Sequence, residues 1–259
     1  MKIVVCIKQV PDTTEVKIDP KTGTIIREGL PSIMNPDDKG ALEWALRLKD
    51  QCGAHVTAIT MGPPQAEAIL REAYAMGVDH CILLTDRAFG GADTLATSHA
   101  LAGALAVIPH DLIVAGRQAI DGDTAQVGPQ IAEHLGLPQV SYVTNIEMKE
   151  GGFIVKKETE EGYQMLSVPA PCLFTVLASS VEPRYMTVRG ICECFDREIQ
   201  VMTSKDIQVE LERLGLKGSP TRVKKSFAKG LKAAGVQYEV SDEEAVDLII
   251  AKLKEKFII

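Results

Sequence analysis

The chain has 259 residues, of which 46% are hydrophobic, 24% charged and 5% aromatic, with a formal net charge of -7. That length supports one large α/β domain or two small ones around a mainly aliphatic core. The acidic balance excludes a sequence-independent nucleic-acid binder, and no apolar run reaches the ~18 residues of a membrane span.

The first residues, MKIVVCIKQV, carry too short an apolar core for a signal peptide, so a cytoplasmic protein is expected and residues 2–7 read as a buried strand. Residues 14–28 alternate around Pro20-Lys21-Thr22-Gly23 and predict a hairpin. Asn35 and Pro36, followed by Asp37 and Asp38, start a helix that Gly53 ends. Strands are predicted at 56–60, 81–85 and 111–116, alternating with helices at 64–76, 93–107 and about 124–135. This alternation predicts a doubly wound, mostly parallel sheet with ligands at the carboxyl ends of its strands.

Past residue 140 the pattern changes. Stretches 140–148, 153–158, 163–168 and 172–178 read as antiparallel strands added to the sheet edge. From about 180 the chain is irregular and polar until a helix at about 242–257, opened by Ser241-Asp242-Glu243-Glu244. Such a tail either folds back on its own domain or reaches onto another chain. The basic cluster Arg222, Lys224 and Lys225 reads as solvated surface or as a contact for an acidic partner.

The stretch 111–129, DLIVAGRQAIDGDTAQVGP, holds the most chemistry. An aliphatic strand ends at Gly116, a polar loop follows, and a helix begins near Thr124. Glycines 116, 122 and 128 allow close backbone approach, and a helix N-terminus attracts phosphate. The stretch is neither a Walker A loop nor G-x-G-x-x-G. It fits a nucleotide-phosphate loop, or a tight connection in which Asp121 and Asp123 cap the helix; Pro129 would lack an N–H inside that helix, which implies a later start or a kink there. Gly90-Gly91 before Asp93-Thr94, Asn35 to Asp38, and Met61-Gly62-Pro63 are further loops at strand ends. His55, His80, His99, His110 and His134 are isolated, and no catalytic set emerges. Cys192 and Cys194 lack the second pair that a zinc site needs, so no metal is expected.

The loop Gly116 to Pro129, the opening KIVVCIKQVPD, Met34-Asn35-Pro36, Met61-Gly62-Pro63, and the stretch Val155 to Thr175 resemble electron-transfer flavoprotein beta subunits over essentially the whole chain. The resemblance implies a nucleotide-binding α/β domain over 1–190, of the adenine-nucleotide α-hydrolase-like type. It also implies a C-terminal arm over 191–259 that packs on a larger alpha subunit. Nucleotide contacts carry over to Cys6, Asn35, Pro36, Asp37, Asp38 and Met61. They continue through Arg117, Gln118, Ala119, Ile120, Asp121, Gly122, Asp123, Thr124, Ala125, Gln126, Val127 and Gly128. Glu182-Pro183-Arg184-Tyr185 matches the start of a partner-docking loop, with Val188 at the position of a leucine anchor.

The family has two kinds. In simple carriers the small subunit holds AMP as a structural ligand, and the complex shuttles electrons between acyl-CoA dehydrogenases and a quinone reductase or another acceptor. In electron-bifurcating members it holds FAD and accepts electrons from NADH. These pass to ferredoxin or flavodoxin and, through the alpha-subunit FAD, to an acyl-CoA dehydrogenase. Asp121 to Pro129, the run Phe89-Gly90-Gly91-Ala92-Asp93-Thr94, and Gly218-Ser219-Pro220-Thr221 are similar to the second kind. That similarity implies FAD here, with Gly90, Gly91, Ala92, Asp93 and Thr94 on its flavin side. Cys192 to Glu198 stands where simple carriers have a lysine-rich run. A reading of another class is a stand-alone adenine-nucleotide-binding protein whose tail folds back on itself.

Overall fold

Alternating apolar side chains build the centre of the molecule. Ile3 and Val5 of strand β1 (Lys2–Cys6) enter one core, while Val4 and Cys6 enter another on the opposite face. The same division recurs in β5 (His80–Leu84), β6 (Leu112–Gly116) and β10 (Cys172–Val176). Strands buried on both faces need near-continuous apolar sequence, which is why these runs show no polar alternation. The computed structural model describes residues 1–12, 31–221 and 235–259; the hairpin expected at 14–28 and the cluster Arg222, Lys224 and Lys225 lie outside the described residues.

The remaining strands are β2 (Gln9–Pro11), β3 (Ser32–Met34), β4 (His55–Met61), β7 (Gln139–Lys149), β8 (Gly152–Thr159), β9 (Gly162–Pro169) and β11 (Gln200–Met202). One sheet runs β11-β5-β4-β1-β6-β10-β7-β8-β9, and β2 pairs with β3 in a small antiparallel ladder. Pairing is parallel from β11 to β7 and antiparallel from β7 to β9. Helices α1 (Pro36–Cys52) and α2 (Glu67–Met76) supply one core, and α3 (Thr94–Leu105) and α4 (Val127–Leu135) the other; two short helices, α5 (Val188–Glu193) and α6 (Gly215–Gly218), follow. The fold is therefore doubly wound, α/β and mostly parallel.

Three elements depart from the sequence expectation. The stretch read as a fourth antiparallel edge strand is β10, which lies inside the sheet, parallel to both β6 and β7. All five of its residues are buried, and an edge position would leave one row of backbone groups unpaired. Helix α4 starts at Val127 instead of Thr124, so Pro129 falls in the first turn, where an N–H has no partner within the helix. The third is β11, which the irregular composition past 180 concealed.

The chain divides into two compact units, Met1–Lys224 and Lys225–Ile259. The boundary expected at 190 falls inside the first unit. Cys194 is buried in the α1/α2 core, β11 pairs with β5, and a Cβ at Gly103 of α3 would come within 2.8 Å of the Gln208 carbonyl. In the second unit α7 (Asp242–Glu255) begins with the capping box anticipated at Ser241 and Glu244. Its Val246, Ile249 and Ile250 form an exposed apolar stripe. Among the described residues no helix is long and apolar enough to cross a membrane.

Candidate functional site

Chain direction sets the place of the site. From β1 the chain crosses to β4 and β5 on one side, then returns through α3 to β6 on the other side of β1. The carboxyl ends of β1 and β6 therefore flank a topological switch point, where an open α/β sheet leaves a crevice. The loops after these two strands, Lys8 and Gly116 to Gln126, meet the start of α1 there.

A single carboxylate ties the three together. Asp38 accepts the Lys8 N–H at 2.8 Å on one oxygen and the Gly116 N–H at 3.0 Å on the other. It is only 7% exposed. Burial pushes its carboxyl up to about 7, against the lowering effects of Asn35, these two N–H groups and Lys8. The neighbouring Cys6 thiol is pushed up to about 12, by burial and then by Asp38, so it stays neutral.

Asn35 and Asp37 hold the loop itself. The Asn35 amide donates to the Gln118 carbonyl at 2.8 Å and accepts the Ile120 N–H at 3.0 Å. It does not cap α1, although the sequence suggested that it could. Asp37 accepts the Gln118 N–H at 3.3 Å and the Ala178 N–H at 3.0 Å, and lies 3.5 Å from the Arg117 guanidinium. Lys8 pairs with Asp121 at 2.6 Å. The polar atoms of Asn35, Asp37 and Asp38 are thus spent on protein backbone, and these residues shape the loop.

The three glycines of the loop separate by role. A Cβ at Gly116 would meet Asp37 and Asp38 backbone at 2.6 Å, and one at Gly128 would meet Thr175 at 2.5 Å. Both are small because protein packs against them, contrary to the expectation that they admit a ligand. Gly122 has nothing within 4 Å of a Cβ position, and it is the one that opens space. Beside it Asp123 and Ala125 hold φ of 50° and 53°. Such conformations cost a non-glycine residue about 1–3 kcal/mol each and cluster where a ligand is clamped. Asp121 and Asp123 do not cap α4: its first turn has no side-chain cap, leaving N–H groups for an anion.

The second run, Phe89 to Thr94, joins the same rim. Thr94 donates to the Gln126 amide oxygen at 2.7 Å, linking the starts of α3 and α4. Asp93 caps α3 through the Ala96 N–H and also accepts from the N–H and hydroxyl of Thr221, while Ser219 accepts the Asp93 N–H at 2.8 Å. Gly90 accepts from the Leu216 N–H, and Gly91 and Ala92 are solvent-accessible. The two stretches singled out together, 89–94 and 218–221, are therefore in contact. Met61 lies at the carboxyl end of β4, against the α3/α4 core.

Residues 182–198 occupy a different place, over the outer sides of α1 and α2. Arg184 donates to Glu43 through its backbone N–H at 3.0 Å and its guanidinium at 2.8 and 3.1 Å, and to Asp50 at 2.8 Å. Burial alone raises the Glu43 carboxyl; the Arg184 hydrogen bonds outweigh it and hold Glu43 below the usual carboxylate range. At the far end Arg71 donates to the carbonyls of Cys194 and Arg197, and Tyr74 to that of Glu198. Between these clamps a short helix, α5 (Val188–Glu193), rests on α2, where a Cβ at Gly190 would meet Ala75. Being helical, this stretch separates Cys192, which is exposed, from Cys194, which is buried. Tyr185 is 92% and Val188 80% exposed, with Phe195 also outward; Glu182 is exposed and Pro183 half-buried. Glu43, Arg71 and Tyr74 escaped the sequence reading because nothing near them in the chain marks their partners in this segment, which lie more than 120 residues away.

The model of the electron transfer flavoprotein domain matches residues 22–210. The chain is 57% identical to the electron transfer flavoprotein subunit beta of Clostridium acetobutylicum, over 99% of each chain. It is 51% identical to the caffeyl-CoA reductase-Etf complex subunit CarD of Acetobacterium woodii, and 47% identical to the acryloyl-CoA reductase electron transfer subunit gamma of Anaerotignum propionicum. Both alignments cover all of each chain.

Proposed function

The chain belongs to the electron transfer flavoprotein family, with beta subunits among its relatives, and from that premise we propose that it binds FAD and takes part in NADH-driven electron bifurcation as the small subunit of a heterodimer. The observation that carries the choice of FAD over AMP is the open space at Gly122, continuous in sequence with an uncapped helix start. A dinucleotide needs room beyond the first phosphate, and a larger residue at 122 would take it. Names of two relatives, which refer to caffeyl-CoA and acryloyl-CoA reductases, support an acyl-CoA dehydrogenase-like partner.

When bound, FAD supplies the ability to accept a hydride from NADH and release electrons singly to ferredoxin or flavodoxin and to the alpha-subunit flavin. The chain's residues bind and orient it. Arg117 to Gly128 would hold the adenosine and pyrophosphate, and the N–H groups at the start of α4 would favour the negative charge of the phosphates. Asp93 and Thr94, with Gly90 to Ala92, line the flavin side. Asn35, Asp37 and Asp38 keep the loop in shape, and the neutral Cys6 adds no charge beneath it. Tyr185 and Val188 offer the docking surface for the dehydrogenase. The α7 stripe packs on the alpha subunit, because an exposed apolar face of this kind needs a partner.

The test is cofactor content of the heterodimer co-purified with its alpha subunit. Two FAD per heterodimer, little AMP, and bleaching by NADH are expected; one FAD with one AMP and no bleaching would overturn the proposal in favour of a simple shuttle. A second expectation isolates the loop. A Cβ at position 122 meets no protein atom within 4 Å, so Gly122→Leu should leave thermal stability near its wild-type value, yet lower affinity for the bound nucleotide about tenfold or more, as expected when a side chain fills ligand space. Unchanged affinity, measured by equilibrium dialysis, would place the ligand elsewhere.

A further inference from the structure

On the outer side of α3 and α4 lies a cavity of about 400 Å³, walled by Leu95 and His99 of α3, His134 of α4, and Arg213, Lys217 and Pro220. Gly218 and Ser219 also line it, and Ser219 accepts the Asp93 N–H, so the cavity adjoins the rim assigned to the flavin side without including the loop 116–126. We propose that this cavity is a second ligand site, for a small organic anion of the phosphate class. Its volume falls within the range of about 300–1,000 Å³ typical of small-molecule sites.

The His99 Nε2 is buried and has no hydrogen-bond partner. His99 lines the cavity and buried polar atoms are nearly always satisfied, so a turn of this ring would bring the unpartnered Nε2 to a ligand atom. His134 stands edge-on to it, with ring centroids 5.4 Å apart. Ser98 spends its proton on the Leu95 carbonyl at 2.9 Å, so it accepts from His134 Nε2 at 3.3 Å. That leaves His134 Nδ1 for the cavity or solvent.

Charge decides the ligand class. Arg213 and Lys217 bring two permanent positive charges, and Glu210, paired with Arg213 at 3.0 Å, offsets part of one. A metal cation is disfavoured by that balance, and among the described residues no group of three or more His, Cys, Asp or Glu could hold one. An anion gains from both cations and from either ring once protonated. Leu95 and Pro220 give apolar contact for a carbon portion.

His134, Arg213 and Glu210 act on His99, and Lys217 lines the same cavity. Burial lowers the His99 pKa, His134 and Arg213 lower it further, and Glu210 opposes them. An arriving anion reverses that balance, so binding draws a proton onto the ring.

The experiment is calorimetric titration of the purified heterodimer, with its own cofactors bound, using pyrophosphate as probe. At about pH 6.5, near the ordinary histidine pKa, it is run in two buffers of different ionisation heat. Saturable binding with proton uptake is expected, weakened about tenfold in Lys217→Gln through loss of a charged contact. His99→Gln should abolish most of the proton uptake while cofactor content stays unchanged. If His99→Gln fails to assemble, the exposed Lys217→Gln and the proton count of the unaltered complex carry the test. No saturable heat at millimolar pyrophosphate, or equal affinity in Lys217→Gln, overturns the proposal.

Discussion

Replacing Asp38 by alanine is expected to destabilise the first unit by about 2–3 kcal/mol and to empty the cleft of nucleotide. Two buried backbone donors, the Lys8 and Gly116 N–H groups, lose their acceptor, and each orphaned group costs about 1–3 kcal/mol. Relief from burying a carboxylate offsets part of that sum. Because the same two donors belong to the strand ends that flank the crevice, the loop from Gly116 onward loses its anchor, and ligand affinity falls together with stability. Urea unfolding and cofactor analysis of the complex measure both. Full cofactor content in a stably folded Asp38→Ala complex would contradict the anchoring role.

Asp38 also gives stability a pH dependence whose sign can be worked out. Its ordinary value is 3.8 and its folded value about 7, raised first by burial. Between those values the folded chain holds a proton that the unfolded chain has released. Its contribution is therefore complete below the unfolded pKa and is lost as pH rises through the folded one. Asp38→Asn cannot titrate, so wild type should lose stability relative to the variant as pH rises from about 4 to about 7, with the curves parallel above that. Curves parallel throughout would show that this carboxyl does not titrate in that window. Asn has one acceptor oxygen for two N–H donors, so the variant should also start lower.

Glu43→Ala is expected to uncouple the docking segment while sparing the cofactor cleft. Glu43 takes three hydrogen bonds from Arg184 and one from Arg47, and it is 4% exposed. Breaking a well-buried ion pair costs about 3–5 kcal/mol, and the partial exposure of Arg184 reduces this to about 2 kcal/mol. Without that clamp, Glu182 to Val188 no longer present a preordered surface, and ordering them on binding must be met from the docking energy. The KM for the dehydrogenase partner should rise about tenfold, equivalent to ~1.4 kcal/mol. NADH bleaching of the flavin should be unaffected. An unchanged KM with full cofactor content would remove this segment from docking.

The split between the two variants reflects how α1 is used. Its first turn carries Asp37 and Asp38, turned toward the loop; about a turn and a half later Glu43 holds Arg184 of the segment proposed for docking. Asp37 ties the loop to the chain that leaves β10, since it accepts from Gln118 on one side and Ala178 on the other.

Much of this was legible in the chain. The aliphatic runs ending at Cys6, Met61, Leu84 and Gly116 follow from hydrophobic periodicity, and with the intervening helices they dictate a parallel, doubly wound sheet. The loop 116–128 could be singled out because glycines and polar residues follow a buried strand and precede a helix. Local sequence could not distinguish a glycine that faces a ligand from one that faces protein: Gly116 and Gly128 are small because Asp38 and Thr175 lie against them, and only Gly122 is open. Nor could it separate Asp38 as a ligand contact from Asp38 as the anchor of two strand ends. Periodicity and capping act within a few residues, and they determined by themselves most elements up to β10, their order and the loop that matters, but neither α5 nor β11. Which strand is central, where β10 and β11 pair, and what Asn35, Asp38 and Glu43 hold were decided only by tertiary structure, because each depends on partners 30 to 141 residues away in the chain.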